Sequence, residues 1–211
     1  MFPGLFSACD WGEGMSSLNV FLAGVGGRGI ITGASIIARA AIAADVNAVM
    51  SEVHSMAQRG GSVVCELRLG DAHSPMIPEG EADLIMGFEP VETVRSLTKA
   101  NHHTVVVTEV RPIIPVSVSL GGTAYPDVED LLSYLRSQVA AVYAVPAAAM
   151  AEEIGLPQAA NVVLLGAAMG TGLIPLELGT IRDTLSRSVP SKALEANFRA
   201  LQEGFELTRK V

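Results

Sequence analysis

Short apolar runs alternate with longer segments of helical periodicity along this chain, and their order sets the expected architecture. Leu18–Ala23 is a short apolar run, interrupted only by Asn19 and closed by glycines, and predicts a buried first strand. Gly24–Gly29 makes the turn. Ile30–Ala44, rich in alanine and isoleucine with Arg39 as its one charge, predicts a helix lying on a sheet. Val46–Met50 predicts a second strand. Ser62–Leu69 behaves differently: Val63, Cys65 and Leu67 fall on one face, and Val64, Glu66 and Arg68 on the other. That alternation predicts a half-exposed, antiparallel strand. His73–Gly80, with Pro75 and Pro78, reads as loop.

Leu84–Phe88 and Thr104–Thr108 predict two further short strands. Between them Pro90–Leu97 fits a helix with proline at its start. Ile113–Leu120 is β-branched but contains Pro115, so it reads as an edge strand or a loop. Asp127–Val139 is amphipathic with Asp127 as cap, and Ala141–Val145 predicts a last strand. From Pro146 onward the pattern is helical. It closes with Ser191–Arg209, where Ser191 is a candidate cap and Glu195 stands near the first turn.

Strands alternating with helices predict an α/β fold: a Rossmann-like, doubly wound, mostly parallel sheet with helices on both faces and a helical C-terminal part. Residues 18–211 are expected to form one domain. Residues 1–17 are expected to be a disordered extension, with Met15 as a candidate translation start. Ile154–Leu176 carries no charged residue and is long enough to span a bilayer, yet Pro157, Asn161, Gly166, Gly170, Gly172 and Pro175 punctuate it. It therefore reads as a buried helix with its connections, and no membrane partner is expected.

Composition adds a partner. Hydrophobic residues make up 49% of the 211 and charged residues only 17%, against about 25% charged in a typical soluble domain. Either part of the surface is covered by another chain, or the protein is a compact Ala- and Gly-rich monomer. The net charge is -8 and no basic cluster stands out, which excludes a nucleic-acid footprint. The N-terminus lacks a basic region ahead of a long apolar stretch, so no signal peptide is read and a cytoplasmic location is expected. The two cysteines are too few for a disulfide framework, or for a thiolate-held cluster, which takes about four. Cys65 reads as a small buried hydrophobe.

Ligands of such sheets bind at the carboxyl ends of the strands, and polar residues collect there. Gly24, Gly26 and Gly29 give the G-x-G-x-x-G spacing between a strand and a helix, with Gly27 and the cation Arg28 between them. Such a loop suits a phosphate-bearing ligand through its N–H groups and the helix N-terminus. The same glycines also serve close packing. A dinucleotide site needs an acid about 20 residues on; Asp45 precedes the second strand, and Glu52 could only end it. The segment after that strand is dense in hydrogen-bonding groups: Glu52, His54, Gln58, Arg59, Gly60 and Gly61 line a site or an interface, or form a solvated turn. Glu52 and His54 would share a strand face, His54 and Gln58 a helix face. Glu89 and Glu109 each follow a strand. They suit acid–base work or, more commonly, helix capping. Asn161 begins a late helix that it is placed to cap, and with Glu89 and Glu109 it is also read as lining the site or an interface. His73, His102 and His103 lack ligand spacing, so no metal site is read. Neither a nucleophile elbow nor a phosphate-loop lysine is present.

Four segments together resemble a known family: Gly24-Val-Gly-Gly-Arg-Gly29, Ser51-Glu-Val-His-Ser-Met-Ala-Gln-Arg-Gly-Gly-Ser62, Ser74-Pro-Met-Ile-Pro-Glu-Gly-Glu-Ala-Asp83 and Phe88-Glu-Pro90. They are similar to the gamma-type domain of 2-oxoacid:ferredoxin oxidoreductases, above all its indolepyruvate-oxidising beta-subunit branch. Asn161 with Leu165-Gly-Ala167, and Glu195-x-Asn197, fit the same pattern. The resemblance implies a subunit of a hetero-oligomeric enzyme whose large alpha subunit binds thiamine diphosphate and 4Fe–4S clusters. It implies oxidative decarboxylation of an aryl 2-oxoacid to acyl-CoA, with ferredoxin reduced through the complex. On this chain it implies no catalytic residue and no firmly bound cofactor, with a coenzyme A contact at Gly24–Gly29 left open, and a homodimer if the chain is isolated. Service to pyruvate, 2-oxoglutarate or a branched-chain 2-oxoacid stands as the alternative within the family. A stand-alone NAD-binding dehydrogenase is the alternative outside it.

Overall fold

The computed structural model describes residues 17–55, 61–114 and 124–209. Among these residues six strands form one sheet: β1 Leu18–Val25, β2 Ala48–His54, β3 Ser62–Leu69, β4 Leu84–Gly87, β5 Val105–Glu109 and β6 Ala141–Val145, in the order β2-β3-β1-β4-β5-β6. β1, β4, β5 and β6 are parallel to one another. β3 runs antiparallel to both β1 and β2, so five strands point one way and their carboxyl ends share one edge. The alternation along Ser62–Leu69 thus did mark the one reversed strand. Its outer face is more covered than expected, because Glu66 is buried, accepting from Ile77 N at 2.5 Å beside Lys99.

Seven α-helices lie among the described residues: α1 Ile30–Ala43, α2 Pro90–Arg95, α3 Val128–Gln138, α4 Ala147–Ile154, α5 Ala160–Gly170, α6 Leu178–Ser186 and α7 Leu194–Arg209. The central strands are apolar on both faces because both are covered. Val20, Leu22, Leu84 and Met86 face a core shared with α1 and α4–α7. Phe21, Ala23, Ile85 and Val106 face a smaller core with Ile77 and Ala82, on the side where α2 and α3 pack.

Helix α5 is buried on every side from Asn161 to Met169, which explains its uncharged sequence. Among the described residues no helix is long and apolar enough to cross a membrane. Its glycines set the approach of α7. A Cβ on Gly166 would lie 2.1 Å from Leu201 O, and one on Gly204 2.1 Å from Val163 O. The two backbones touch, and no side chain fits between them.

Several boundaries differ from expectation. β2 runs on to His54, because the ladder with β3 continues through His54 opposite Val63. Ser191 is not a cap: it lies inside a short 3-10 turn, Ser191–Ala193, that leads into α7, with Glu195 in the first turn of α7 as expected. Asn161 does not cap α5 either; that helix starts one residue earlier and has no side-chain cap. Asp127 caps α3 as expected, accepting from Glu129 N at 2.8 Å. Residues 1–16, most of Ile113–Leu120, and Gln58, Arg59 and Gly60 lie outside the described residues.

Candidate functional site

The glycine loop leaves β1 at the point where the chain begins to wind both ways across the sheet. α1 continues from it over one face, while Phe88 and Glu89 leave neighbouring β4 toward α2. This is the topological switch point at which open sheets form their crevice. The loop glycines answer different needs. Gly24 allows close approach, since a Cβ there would lie 2.6 Å from that of Phe88. Gly29 sits at φ 75°, a left-handed conformation that glycine adopts without cost. Its carbonyl accepts from Gly33 N at 2.9 Å, and Gly26 N donates to Gly61 O at 2.9 Å, tying the loop to the start of β3. Arg28 is exposed at the tip.

Two hollows flank the loop. The larger, about 400 Å³, is lined by Gly26, Gly27, Gly29, Thr32, His54 and Ser55. β2 brings His54 into it, and Glu52 faces His54 Nε2 at 3.3 Å, both side chains about half exposed. The shared strand face predicted for this pair is therefore real. The smaller, about 50 Å³, lies between Arg28, Phe88, Glu109, Arg111 and Asn161. Thr32, Ser55 and Val63 were not singled out from sequence. Thr32 stands three residues after Gly29, in the first turn of α1, and could have been read there. Val63 reaches the cleft at the end of the β2–β3 ladder, and Ser55 just beyond it, where its N donates to Ser62 O at 3.0 Å.

The loop also departs from a dinucleotide site. That fingerprint places its ribose-binding acid at the end of a strand next to the first. Here β3 stands between β1 and β2, moving the end of β2 one strand away, about 4.8 Å. Glu52 is inside β2 rather than at its end.

Glu89 and Glu109 are brought to the same edge, but as braces. Glu89 is 2% exposed. It caps α2 by accepting from Glu92 N at 3.0 Å, and also accepts from Ile113 N and Tyr125 OH. Burial, then the bond to Glu89, pushes the Tyr125 phenol well above its usual range. Glu109 accepts from Val110 N and Arg111 N at 2.8 and 2.9 Å and from Ala148 N at 2.8 Å, serving the first turn of α4 from outside it. A carboxylate used up by three donors is poorly placed to abstract a proton from substrate. Arg111 forms a two-pronged pair with Glu152 that holds the Glu152 carboxyl below its ordinary range.

Cys65 is fully buried, and burial followed by the nearby Glu52 charge raises its thiol to about 11, so it packs as a protonated thiol at neutral pH. Among the described residues no three His, Cys, Asp or Glu side chains are grouped to hold a metal ion. His102 and His103 are exposed beyond the opposite edge, ahead of β5.

Comparison with known proteins follows this geometry. A family model described as pyruvate ferredoxin/flavodoxin oxidoreductase matches residues 19–207. The chain is 39% identical over 187 residues to a protein of Methanothermobacter thermautotrophicus named indolepyruvate oxidoreductase subunit IorB, covering 89% of this chain and 95% of that one. The protein of the same name from Archaeoglobus fulgidus is 39% identical over 188 residues, covering 89% and 94%. The crystal structure of a keto/oxoacid ferredoxin oxidoreductase gamma subunit from Geobacter sulfurreducens shares the fold, with TM-score 0.67 at 22% identity over 92% of this chain and 99% of that one. So does 2-oxoglutarate:ferredoxin oxidoreductase from Magnetococcus marinus, solved with 2-oxoglutarate, coenzyme A and succinyl-CoA, with TM-score 0.71 at 22% identity over 93% of this chain and 32% of that one.

Proposed function

The chain belongs to the pyruvate ferredoxin/flavodoxin oxidoreductase family, and on that premise we propose that it is the small subunit of an indolepyruvate:ferredoxin oxidoreductase whose catalytic centre lies on a larger partner chain. The observation that carries this reading is the near end-to-end match, at 39% identity, to two subunits of that name. In the complex an aryl 2-oxoacid loses its carboxylate as carbon dioxide, the acyl group passes to the thiol of coenzyme A, and two electrons pass to ferredoxin. Thiamine diphosphate and iron–sulfur clusters on the partner supply the electron sink and the electron path. The residues of this chain do not fit the clusters: two cysteines fall short of the four thiolates a cluster takes.

What this chain contributes is a docking edge and a ligand-positioning loop. The carboxyl edge, carrying Gly26–Gly29, the end of β2 with His54 and Ser55, and Gly61, faces the catalytic subunit. The loop offers backbone N–H groups at the start of α1 and the Arg28 guanidinium, the chemistry that receives the phosphates of coenzyme A. His54 and Ser55 line the large cleft on one side of the loop, and Arg28 borders the small hollow on the other. Asn161 supports the loop from the other side. Apolar surface on a chain of low charge is covered by the partner, and the isolated chain self-associates.

The experiment is steady-state kinetics of the whole complex carrying Arg28→Ala together with His54→Ala. Each lost charge-assisted contact is worth about 1.5–3 kcal/mol, so KM for coenzyme A is expected to rise by at least roughly tenfold, with KM for the 2-oxoacid little changed. An assembled double variant with unaltered coenzyme A dependence would remove the loop from ligand binding.

A further inference from the structure

The glycine loop is braced by a side chain from the other half of the chain. Asn161 stands in the first turn of α5 and is 9% exposed. Its Nδ2 donates to Gly29 O at 3.4 Å, an oxygen that already accepts from Gly33 N at 2.9 Å. The packing is tighter than that one bond. A Cβ on Gly29 would lie 2.4 Å from Asn161 Nδ2, 2.8 Å from its Cγ and 3.1 Å from its Cβ. The carboxamide therefore occupies the space that a side chain on Gly29 would take.

That placement has a conformational consequence. A glycine visits left- and right-handed backbone about equally, so a left-handed Gly29 has to be selected by its surroundings. Asn161 borders the small hollow together with Arg28, while Gly29 borders the large one. The amide thus stands behind the loop, on the side away from the large cleft. Pressed against Gly29, it limits how far the loop can turn and fixes where the Gly27–Gly29 N–H groups and Arg28 point, Gly26 N being held by Gly61 O. A loop ordered before binding avoids an ordering cost on binding.

Resting on the reading that this loop receives coenzyme A, we infer that Asn161 is a positioning residue, acting through Gly29 to preorganise the loop. The test uses the assembled complex with Asn161→Ala, with Asn161→Asp, which keeps the volume and removes the N–H donors, and with Asn197→Ala as a control. Asn197 is also buried, but its amide bonds within its own helix region, to Ala193 O at 2.8 Å.

Two readouts separate the latch from the ligand. Hydrogen–deuterium exchange of peptides spanning Gly24–Ile30 reports the loop itself; kinetics report what the loop does. Both Asn161 variants are expected to speed exchange there and to raise KM for coenzyme A by roughly fivefold, the scale of one net hydrogen bond, with kcat at saturating coenzyme A moving less than KM. Asn197→Ala is expected to lower the melting temperature and to leave both readouts alone. Unchanged loop exchange in the Asn161 variants overturns the inference. Faster exchange with unchanged KM, in a complex that does depend on coenzyme A, overturns the positioning role and leaves the proposed function standing. A wild-type complex with no coenzyme A dependence removes the proposed function instead, and the exchange result alone then decides whether Asn161 holds the loop.

Discussion

Gly204→Ala is expected to destabilise the protein by about 3 kcal/mol or more, at the upper end of overpacking effects. The new Cβ would meet Val163 O at 2.1 Å, Val163 C at 2.9 Å and Ala167 N at 3.0 Å. All three atoms are backbone of α5, so no side chain can swing away, and relief requires the two helices to part. Parting them opens a void in the core around Leu165 and Leu201, which are 0% and 2% exposed. Gly166→Ala meets Leu201 O at 2.1 Å from the opposite side and is expected to cost a similar amount. For a chain of this length the loss corresponds to a melting temperature lower by roughly 6–12 °C. Gly179→Ala supplies the contrast. It lies in α6, exposed, with nothing within 4 Å of its added Cβ. There alanine should gain up to about 1 kcal/mol through helix propensity. Scanning calorimetry on the three variants checks both signs; a Gly204→Ala protein as stable as wild type would mean that α5 and α7 do not cross in backbone contact.

The second large effect is expected at Glu89. Glu89→Ala strands three donors, Glu92 N, Ile113 N and Tyr125 OH, at a position 2% exposed. Unsatisfied buried groups cost about 1–3 kcal/mol each, and part of the total is recovered as water enters, leaving a loss of about 3 kcal/mol. Glu89→Gln keeps a carbonyl acceptor at nearly the same volume and should lose markedly less. The pair of variants also separates a brace from an acid or base. A brace predicts that Glu89→Gln retains most of the turnover of the assembled complex while Glu89→Ala loses stability. Abolished turnover in a stable Glu89→Gln complex would make Glu89 a proton-transfer group after all.

These effects show where the sequence was readable and where it was not. The central strands were legible because apolar runs with both faces buried leave a plain signal, as in Leu18–Ala23 and Leu84–Phe88. Reversal of β3 was legible from the alternation of Val63, Cys65 and Leu67 with Glu66 and Arg68. The end of β2 was not. Ser51, Glu52 and His54 carry no apolar periodicity, and the strand persists there because β3 supplies its ladder. Glycines were legible as exceptions but not by purpose. Gly166 and Gly170 read as punctuation, whereas they are the contact surface for α7, a relation invisible until both helices are placed. Capping acids were foreseen as a type, yet the partners of Glu89 and Glu109, up to 39 residues away, depend on topology. Asn161 was marked both as a cap and as a residue lining this edge: it does not cap its own helix, and the contact it makes, with the glycine loop 132 residues back, depends on topology.

The most direct test of the central claim is purification of the tagged full-length chain from its native host under anaerobic conditions, with mass spectrometry and a visible absorbance scan of what elutes with it. A brown complex containing a large, cysteine-rich chain with bound thiamine diphosphate, active with indolepyruvate, coenzyme A and ferredoxin, is the predicted result. A colourless assembly of this chain alone that binds NADH saturably would contradict the subunit reading.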